Sequence, residues 1–289
     1  MMTKSTLLHL RIPFSYNLSP IFLLALTVSR HTVLWKALLV FIILHLFIYP
    51  ASNGFNSYYD RDEESIGGLE KPPPVQEDLL RYSLLFDLTG VLLGMIINWQ
   101  FALGLLIYGL ASKSYSYDRI RLKKKPLISW LAVAFTQGAF TVLLIFIAID
   151  KHGWELAYHP ETLIAAFLSS LFLMAAYPMT QVYQHSEDSR RGDRTLSLLL
   201  GVRGTFIFTS AFFISATIGF ILYYMHYYGV LSAVVFILSQ FPTLIYFLTW
   251  FHRVWKDEKA ADFTSTMRMN LISSTMLNLF FCLLILFIR

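Results

Sequence analysis

Long apolar runs without Asp, Glu, Lys or Arg constrain this chain more than any other feature of its sequence. A helix needs about 20 mostly apolar residues to cross roughly 30 Å of hydrocarbon. Seven runs approach or exceed that length: 12–29, 37–59, 88–112, 126–149, 162–186, 204–252 and 269–288. Because 56% of the residues are hydrophobic and only 14% are charged, the sequence excludes a water-soluble cytosolic enzyme.

Two stretches of the chain each predict a pair of helices. The run 204–252 is too long for one crossing and is interrupted by polar and aromatic residues at 226–229. The stretch 79–117 also predicts two helices, which turn near Asn98. We therefore expect an all-α polytopic membrane protein with nine transmembrane helices around a central cavity, and with residues 1–289 forming one domain.

The basic residues test this count, because Lys and Arg concentrate on the cytoplasmic side of membrane proteins. With nine spans and a cytoplasmic N-terminus, 19 of the 23 Lys and Arg residues fall on the inner side and four on the outer side. This asymmetry predicts polar loops on the cytoplasmic face, and it explains the net charge of +5 without nucleic acid as a partner. We expect a multi-pass protein of a bacterial inner (plasma) membrane, whose first helix is not a cleaved signal peptide.

The first polar segment follows the second predicted span and contains Asn56, Asp60 and Glu64 at intervals of four residues. Residues four apart lie on nearly the same face of a helix, so these side chains would form one stripe at the helix end. Their oxygens are the kind of ligand that Mg²⁺ prefers in proteins. The alternative interpretation is an acidic helix end that is solvated by the cytoplasm.

A second polar segment follows the sixth predicted span and repeats this spacing with Gln184, Asp188 and Gly192. It too lies at the inner end of an even-numbered helix, four helices later in the chain. Two related stripes at this offset indicate a pseudo-repeat whose halves face one cavity. A shared cavity favours a functional site over two separately solvated helix ends.

Between these segments, residues 115–126 carry a cluster of basic side chains that includes Arg121 and Lys123. Such a cluster can serve to anchor a helix to anionic lipid headgroups. On the same face as two acidic stripes, however, it provides the cationic half of a diphosphate site. The basic side chains would neutralise phosphate oxygens from one side, and metal ions held by carboxylates would do so from the other.

Together these segments resemble the UbiA superfamily of intramembrane prenyltransferases, and the resemblance covers nearly the whole chain. Members of that superfamily have nine helices, an N-x-x-x-D-x-x-x-D motif and a later D-x-x-x-D-x-x-x-G motif. The segment Lys71-Pro72-Pro73-Pro74 is similar to the family's R-P-x-P. The other matching residues are Asn56, Asp60 and Glu64 in the first motif, Tyr115, Ser116, Arg121 and Lys123 in Y-S-x-P-P-x-R-x-K, and Gln184, Asp188, Gly192, Thr195 and Leu196 in the second motif and its tail.

The sequence departs from the family pattern at several positions. Glu64 replaces the last Asp of the first motif, and Gln184 replaces the first Asp of the second motif with a neutral amide. Asp118 and Arg119 stand where the family usually has two prolines, and Ser57 stands where many members have Asp. These departures bear on the metal arrangement and the acceptor class, and they leave the predicted fold unchanged.

The resemblance implies Mg²⁺-dependent transfer of a prenyl group from an allylic prenyl diphosphate to an aromatic or other lipid-soluble acceptor, as in quinone or related lipid biosynthesis. The implied partners are the prenyl diphosphate, the acceptor and the lipid bilayer. Ionisation would leave an allylic cation, which aromatic faces stabilise in a water-poor cavity. The implied metal ligands are Asn56, Asp60, Glu64, Gln184 and Asp188, the implied substrate-binding residues are Asn56, Lys71, Arg121, Lys123 and Arg194, and the implied catalytic residues are Asp60, Asp188 and Tyr115.

Two other kinds of function stay open on the sequence. A terpene cyclase or a prenyl-diphosphate hydrolase of the same fold would capture the cation internally or with water, and the unusual Gln184 is compatible with both. A transporter tends to place charged and helix-breaking residues at the middle of the bilayer. Most charges in this chain lie at inner helix ends, which favours an enzyme.

Three isolated polar residues also invite interpretation. Asp87 lies near the predicted middle of the bilayer, where an ionisable side chain is costly, so it contacts either a ligand or a neighbouring helix. His45 is expected to be a packed, hydrogen-bonded residue rather than a metal ligand. His185 adjoins the second motif as a candidate base, although its position directs it away from Gln184 and Asp188.

Overall fold

The computed structural model describes residues 2–288, and over that range it is helical, with isolated bridge pairs and no β-strand. Short 3₁₀ segments connect several of the helices, and a one-turn helix at Gly153–Leu156 lies between two of the long ones. The main helices are α1 (Lys4–His9), α2 (Ser19–Val28), α3 (Leu34–Asp60), α4 (Asp78–Ile97), α5 (Trp99–Ser116), α6 (Pro126–Ile149), α7 (Pro160–Met179), α8 (His185–Arg191), α9 (Leu196–Tyr227), α10 (Val230–Lys256) and α11 (Phe263–Leu283).

Seven helical segments within residues 2–288 are long and apolar enough to cross a membrane. They are α3, α4, α6, the segment from α7 through α8, α9, α10, and α11 with the turn that follows it. Many Leu, Ile and Phe side chains on these helices are exposed, and so much exposed apolar surface indicates contact with lipid. The prediction of an all-α integral membrane protein is therefore confirmed.

The other two predicted spans are shorter or more polar helices. Residues 12–29 fold as a 3₁₀ segment, Ile12–Leu18, followed by the ten-residue α2. Pro13 and Pro20 lie at the beginnings of these two elements, where a missing backbone N–H costs least. Helix α5 has 18 residues and a polar last turn that includes Lys113.

The breaks predicted within the two long stretches are confirmed. Helices α4 and α5 are separated at Asn98, whose side-chain oxygen accepts a hydrogen bond from the backbone N–H of Phe101 at 2.7 Å and caps α5. Helices α9 and α10 are separated at Tyr228 and Gly229. Gly229 has a φ of +85°, a left-handed conformation that glycine adopts without a steric penalty.

Helices α3 and α6 each contain one π-turn, at Ile43–Ile48 and at Thr136–Phe140. The first π-turn lies just before Pro50, and its wider turn lets α3 continue past a residue that cannot donate a backbone hydrogen bond. In the second, Gly138 lies so close to the backbone of Ser170 in α7 that an added Cβ would come within 2.7 Å. The backbones of helices α6 and α7 are therefore in close contact at this point.

The helices enclose a cavity whose walls come mainly from the N-terminal segment, α2, α3, α7, α8 and α11. Apolar side chains line it from the middle of α2 and α11, among them Leu24, Leu277 and Phe281. Ionisable side chains line it from the end of α3, from α8 and from the loop after α5. The cavity therefore has an apolar region and a polar region, as a site for an amphipathic ligand would.

Candidate active site

The cavity has a volume of about 330 Å³ and brings together side chains from both polar motifs. Six of the predicted site residues line it: Asn56, Asp60, Tyr115, Lys123, Gln184 and Asp188. The two motifs are separated by more than one hundred residues of sequence, yet they face the same space. This is the arrangement that the pseudo-repeat of four-residue spacings predicts.

The last turn of α3 directs Asn56 and Asp60 toward the cavity. Lys123 Nζ lies 2.7 Å from Asp60 Oδ1, and Ser116 Oγ donates a hydrogen bond to Asp60 Oδ2 at 3.0 Å. Asn56 Oδ1 and Ser57 Oγ are buried without a hydrogen-bond partner among residues 2–288. Both residues line the cavity, and an unpaired buried polar atom is costly, so these two oxygens are available to a polar ligand there.

Glu64 does not continue this stripe. Helix α3 ends at Asp60, and Arg61 adopts a left-handed conformation with a φ of +46°, so the helical step of four residues is not maintained. Glu64 accepts hydrogen bonds from Ser186 Oγ at 2.7 Å and from Arg190 Nη2 at 2.6 Å, and it lies outside the cavity. The prediction that Glu64 shares a face with Asp60 is therefore wrong.

Gln184 and Asp188 enter the cavity from a 3₁₀ turn and from α8. Gln184 Nε2 donates a hydrogen bond to the backbone carbonyl of Ser65 at 3.3 Å, which links the second motif to the loop after α3. Asp188 Oδ2 accepts a hydrogen bond from Thr195 Oγ1 at 3.2 Å. Gly192 ends α8 with a φ of +67°, and this left-handed residue turns the chain so that Thr195 reaches back to Asp188.

Lys123 and Arg121 lie between two carboxylates, those of Asp60 and Asp193. Lys123 Nζ is 2.8 Å from Asp193, and Arg121 donates to both oxygens of Asp193 at 2.8 and 3.1 Å. Burial by itself would lower the pKa of Lys123, but Asp60 and Asp193 raise that pKa above its ordinary value. Burial likewise opposes the charged forms of Arg121 and Asp193, yet their mutual hydrogen bonds raise the pKa of Arg121 and lower the pKa of Asp193.

Asp193→Asn is expected to lower the free energy of unfolding by about 3 kcal/mol, because it removes a buried carboxylate that pairs with Arg121 and Lys123. A lowered pKa means that this carboxylate stabilises the native state above its ordinary pKa of about 3.9 and that the stabilisation is lost as the pH falls through the native value. Thermal unfolding in detergent, measured from about pH 7 down to about pH 3, should thus depend less on pH in the variant. An unchanged melting temperature at neutral pH would contradict this role, and the exposed Glu63→Gln is the control.

Three predicted substrate-binding residues do not line the cavity: Lys71, Arg121 and Arg194. Of these, Arg121 lies next to it, since it pairs with Asp60 at 3.7 Å. Lys71 is exposed in the loop after α3, and Arg194 is exposed in the turn between α8 and α9. The N-terminal segment holds the loop of Lys71, since His9 Nε2 hydrogen-bonds to the backbone carbonyl of Pro73 at 2.8 Å. Neither side chain is among those that line the cavity, so the contact of Lys71 and Arg194 with a substrate stays a prediction.

Three ionisable residues that the motifs did not identify belong to the polar region: Arg11, Asp62 and Asp193. Arg11 lines the cavity and donates hydrogen bonds to the backbone carbonyls of Gly67 and Asn53, each at 3.1 Å. Asp62 also lines the cavity, and burial together with the neighbouring Asp60 charge raises its pKa to about 6. Asp62 lies within the first motif and Asp193 directly after the second, so an acidic side chain beside a motif could have identified both from the sequence. Arg11 could not be identified in this way, because its position depends on how the N-terminal segment folds back.

Tyr115 belongs to a hydrogen-bonded group in the cavity wall. Tyr177 Oη donates to Tyr115 Oη at 2.5 Å, and Gln181 Nε2 lies 3.2 Å from each of the two phenol oxygens. All three side chains line the cavity. The two rings meet edge to face, with centroids 6.3 Å apart, and so form an aromatic wall whose orientation is held by hydrogen bonds.

The three isolated polar residues have structural partners. His45 is buried and packs against aromatic side chains around α3, as predicted. Asp87 in α4 forms an ion pair with Lys113 in α5, so its partner is a neighbouring helix. His185 Nε2 hydrogen-bonds to Ser197 Oγ at 2.7 Å, and it does not line the cavity.

The donor atoms of the polar region fit a hard divalent cation. Among residues 2–288, no three His, Cys, Asp or Glu side chains converge as a ready metal site. However, the unpartnered Asn56 Oδ1 and the carboxylates of Asp60, Asp62 and Asp188 face one cavity, and all are oxygen donors of the kind that Mg²⁺ uses. We conclude that the cavity supplies suitable ligands for Mg²⁺.

Sequence comparison relates the chain to a family of membrane enzymes. The sequence profile of the UbiA prenyltransferase family matches residues 17–272. A digeranylgeranylglyceryl phosphate synthase from Thermococcus kodakarensis is 29% identical over 170 residues, which are 57% of this chain and 57% of that protein. The aligned part therefore spans just over half the length of this relative.

Solved structures of UbiA homologues have the same fold. An apo homologue from Aeropyrum pernix K1 aligns with a TM-score of 0.69 at 18% identity, covering 94% of this chain and 98% of that chain. A homologue from Archaeoglobus fulgidus bound to GPP and Mg²⁺ aligns with a TM-score of 0.65 at 17% identity, covering 98% of this chain and 100% of that chain. At such identities the solved structures establish likeness of fold. The family profile, in contrast, matches most of the sequence, and because of that match this protein belongs to the UbiA prenyltransferase family.

Proposed function

We propose that this protein is a Mg²⁺-dependent prenyltransferase that moves a prenyl group from an allylic prenyl diphosphate to a lipid-soluble acceptor, in quinone or related lipid biosynthesis. One observation carries the proposal: Asp60, Lys123 and Asp188, from distant parts of the sequence, line one cavity between membrane helices. Membership of the UbiA prenyltransferase family supports the reaction class. The homologue bound to GPP and Mg²⁺ supports the class of donor substrate and of cofactor.

Lys123 and Arg121 bind the diphosphate in this proposal. Their raised pKa values keep both charged, and Lys123 itself lines the cavity. Asn56, Asp60 and Asp188 would hold Mg²⁺, which neutralises diphosphate oxygens and stabilises the diphosphate as it leaves. Gln184 adds a neutral amide beside these carboxylates, so this side of the site carries less negative charge than the family motif would give it.

The aromatic wall acts on the allylic cation. The rings of Tyr115 and Tyr177 line the cavity, together with Phe220 and Phe281 from other helices. An aromatic face attracts a cation by about 0.5–2 kcal/mol, and the attraction is largest where water is excluded. The apolar region holds the prenyl tail, so water reaches the cation less readily than a bound acceptor does.

We assign nine spans to this protein, with α2 and α5 as the two short ones and with the N-terminus in the cytoplasm. The distribution of 19 basic residues on one side and four on the other supports this orientation. The polar region of the cavity would then face the cytoplasm, which is where a water-soluble diphosphate enters and leaves. All residues from 1 to 289 would form a single catalytic domain.

The acceptor is a nucleophile that enters from the lipid phase. The name of the Thermococcus kodakarensis relative supports a glyceryl phosphate lipid as one acceptor to test. An aromatic compound is the second acceptor to test, because the resemblance of the sequence to the UbiA superfamily implies one. Both kinds of molecule would place a polar head near the polar region of the cavity and leave their apolar parts in the bilayer.

Removal of Mg²⁺ is expected to abolish turnover, because the carboxylates of the site would then face the diphosphate with no cation to offset their charge. Protein purified into lipid nanodiscs is incubated with geranyl diphosphate and either acceptor, in Mg²⁺ or in excess EDTA, and the products are identified by mass spectrometry. We expect prenylated acceptor in Mg²⁺ and none in EDTA. Equal turnover in EDTA would disprove the metal dependence.

The same experiment without an acceptor distinguishes the alternatives. A transferase leaves most of the geranyl diphosphate unconsumed under these conditions. A hydrolase releases the prenyl alcohol, and a cyclase releases a cyclic hydrocarbon, in each case at the rate seen with acceptor. If the alcohol or the cyclic hydrocarbon forms at that rate, the function is hydrolysis or cyclisation and not transfer.

A further inference from the structure

The segment after α3 turns away from the helical path before it reaches the third acidic position of the first motif. On a continuing helix, residues 56, 60 and 64 would lie on one face. The left-handed Arg61 ends that helix, and the chain then closes a tight turn in which Ile66 and Leu69 exchange backbone hydrogen bonds at 2.9 and 2.8 Å. The acidic residues at 62, 63 and 64 therefore take directions that helical spacing does not predict.

Both carboxylate oxygens of Glu64 have partners on the outer surface of the protein. Its Oε1 atom pairs with Arg190 Nη2 at 2.6 Å, and its Oε2 atom accepts a hydrogen bond from Ser186 Oγ at 2.7 Å. Both partners belong to α8, and 43% of the Glu64 side chain is exposed to solvent. Glu64 thus joins the loop after α3 to α8 from outside the cavity, and we call this set of contacts the outer clasp (Glu64, Ser186, Arg190).

Asp62 has the opposite environment. It lines the cavity, and only 15% of its side chain is exposed. Its nearest cationic partner, Arg191 Nε, is 3.5 Å away, and no side chain within residues 2–288 donates a hydrogen bond to its carboxylate. Asp62 thus has one long ion pair, and it lines the same cavity as Asp60 and Asp188.

We propose that Asp62 supplies the third carboxylate for the divalent cation at the diphosphate end of the cavity, and that Glu64 is a positioning residue of the outer clasp. This inference rests on the proposed function, since it concerns the same metal-dependent site. It also assigns different tasks to two acids that lie two residues apart. Asp62 adds charge to the cavity, whereas Glu64 holds the loop and α8 together so that the carboxylates of both motifs face each other.

The test measures binding of Mn²⁺, a paramagnetic substitute for Mg²⁺, by the EPR signal of the free ion in a titration of the full-length protein in nanodiscs. Asp62→Asn keeps the size of the side chain and is expected to raise the Mn²⁺ dissociation constant by about tenfold or more. Glu64→Gln is expected to raise that constant by no more than about threefold, because Glu64 lies outside the cavity and affects the carboxylates only through the position of the loop. The exposed Glu63→Gln is the matched control for loss of one negative charge on this loop.

The reverse pattern, with a weaker Mn²⁺ affinity in Glu64→Gln than in Asp62→Asn, would overturn the assignment, and so would equal effects in both variants. Asp62→Ala is measured alongside, so that poor folding of one variant does not decide the result. If the wild-type protein binds Mn²⁺ but transfers no prenyl group, the proposed function fails and the comparison of variants still decides the role of Asp62. Absence of Mn²⁺ binding by the wild-type protein would overturn both.

The positioning role of the outer clasp is tested separately, by steady-state kinetics. Glu64→Gln and Arg190→Gln are each expected to raise the KM for geranyl diphosphate several-fold with little change in kcat, since they loosen the loop without removing a group that touches the substrate. Arg190 also pairs with Glu187 at 2.6 Å, so the exchanged pair Glu64→Arg with Arg190→Glu is made in a Glu187→Gln background. There it should bring the KM back to that of Glu187→Gln alone, because it restores the attraction. A loss of kcat in Glu64→Gln that the exchanged pair does not repair would show that Glu64 acts within the site and would overturn its positioning role.

Discussion

Asp60→Asn is expected to reduce the rate of prenyl transfer by about 10³-fold, because it removes a carboxylate that would hold Mg²⁺, and the cation is most needed as the diphosphate leaves. The wild-type carboxylate lies at the end of α3, accepts a hydrogen bond from Ser116 and pairs with Lys123. Asparagine has the same size and retains an oxygen for Ser116, and Asp193 still pairs with Lys123 and Arg121, so the variant should fold although it loses some stability. The measurement is kcat at saturating geranyl diphosphate and Mg²⁺ in nanodiscs.

Glu63→Gln is the control for this prediction. Glu63 lies on the loop that follows α3 and is exposed, so its loss removes one negative charge near Asp60 without changing the cavity. Its activity should remain within about twofold of the wild type, as is usual for exposed positions away from a site. If Asp60→Asn retained more than about a tenth of the wild-type rate, the assignment of Asp60 to the cation and diphosphate would be wrong.

Lys123→Met is expected to lower kcat/KM by about 10²-fold and also to lower the melting temperature. Lys123 Nζ lies 2.7 Å from Asp60 and 2.8 Å from Asp193, so its loss leaves two buried carboxylates whose remaining ion-pair partner in the described part of the chain is Arg121. Leaving a buried charge without its partner costs about 3–5 kcal/mol of stability. The two effects are measured separately, by steady-state kinetics and by thermal unfolding in detergent.

A double variant separates the two roles of Lys123. Adding Asp193→Asn to Lys123→Met removes one of the uncompensated carboxylates, so it should recover part of the lost stability but none of the lost activity. Recovery of activity as well would mean that Lys123 acts only as a structural partner of Asp193. The neighbouring Lys124→Met, at an exposed position, is the control and should change neither quantity.

The sequence was sufficient to predict the architecture wherever it depends on local properties of the chain. Apolar runs predicted the membrane helices, and the breaks at Asn98 and Gly229 were found because a capping side chain and a left-handed glycine end helices locally. The number of long membrane-spanning helices was harder to predict. Residues 12–29 begin with a 3₁₀ segment and a second proline, and therefore form a shorter α-helix than their hydropathy suggests.

Part of the site was predictable for the same reason. Asn56 and Asp60 lie one turn apart in a single helix, so their common direction follows from helical periodicity. The second motif was found through its matching spacing, although Gln184 lies in a 3₁₀ turn and only Asp188 in α8. Motif spacing thus located two sides of the polar region of the cavity without describing their backbone.

Loop conformation and contacts between distant segments were decided only in the tertiary structure. Arg61 is not glycine, yet it takes a left-handed conformation that ends α3, and in the loop beyond it Asp62 lines the cavity while Glu64 does not. Arg11 and Asp193 become parts of the site through partners about 40 to 70 residues away in the chain. The physical reason is that helical direction follows from short-range periodicity, whereas the direction of a loop side chain depends on which charges and hydrogen-bonding groups from other helices surround it.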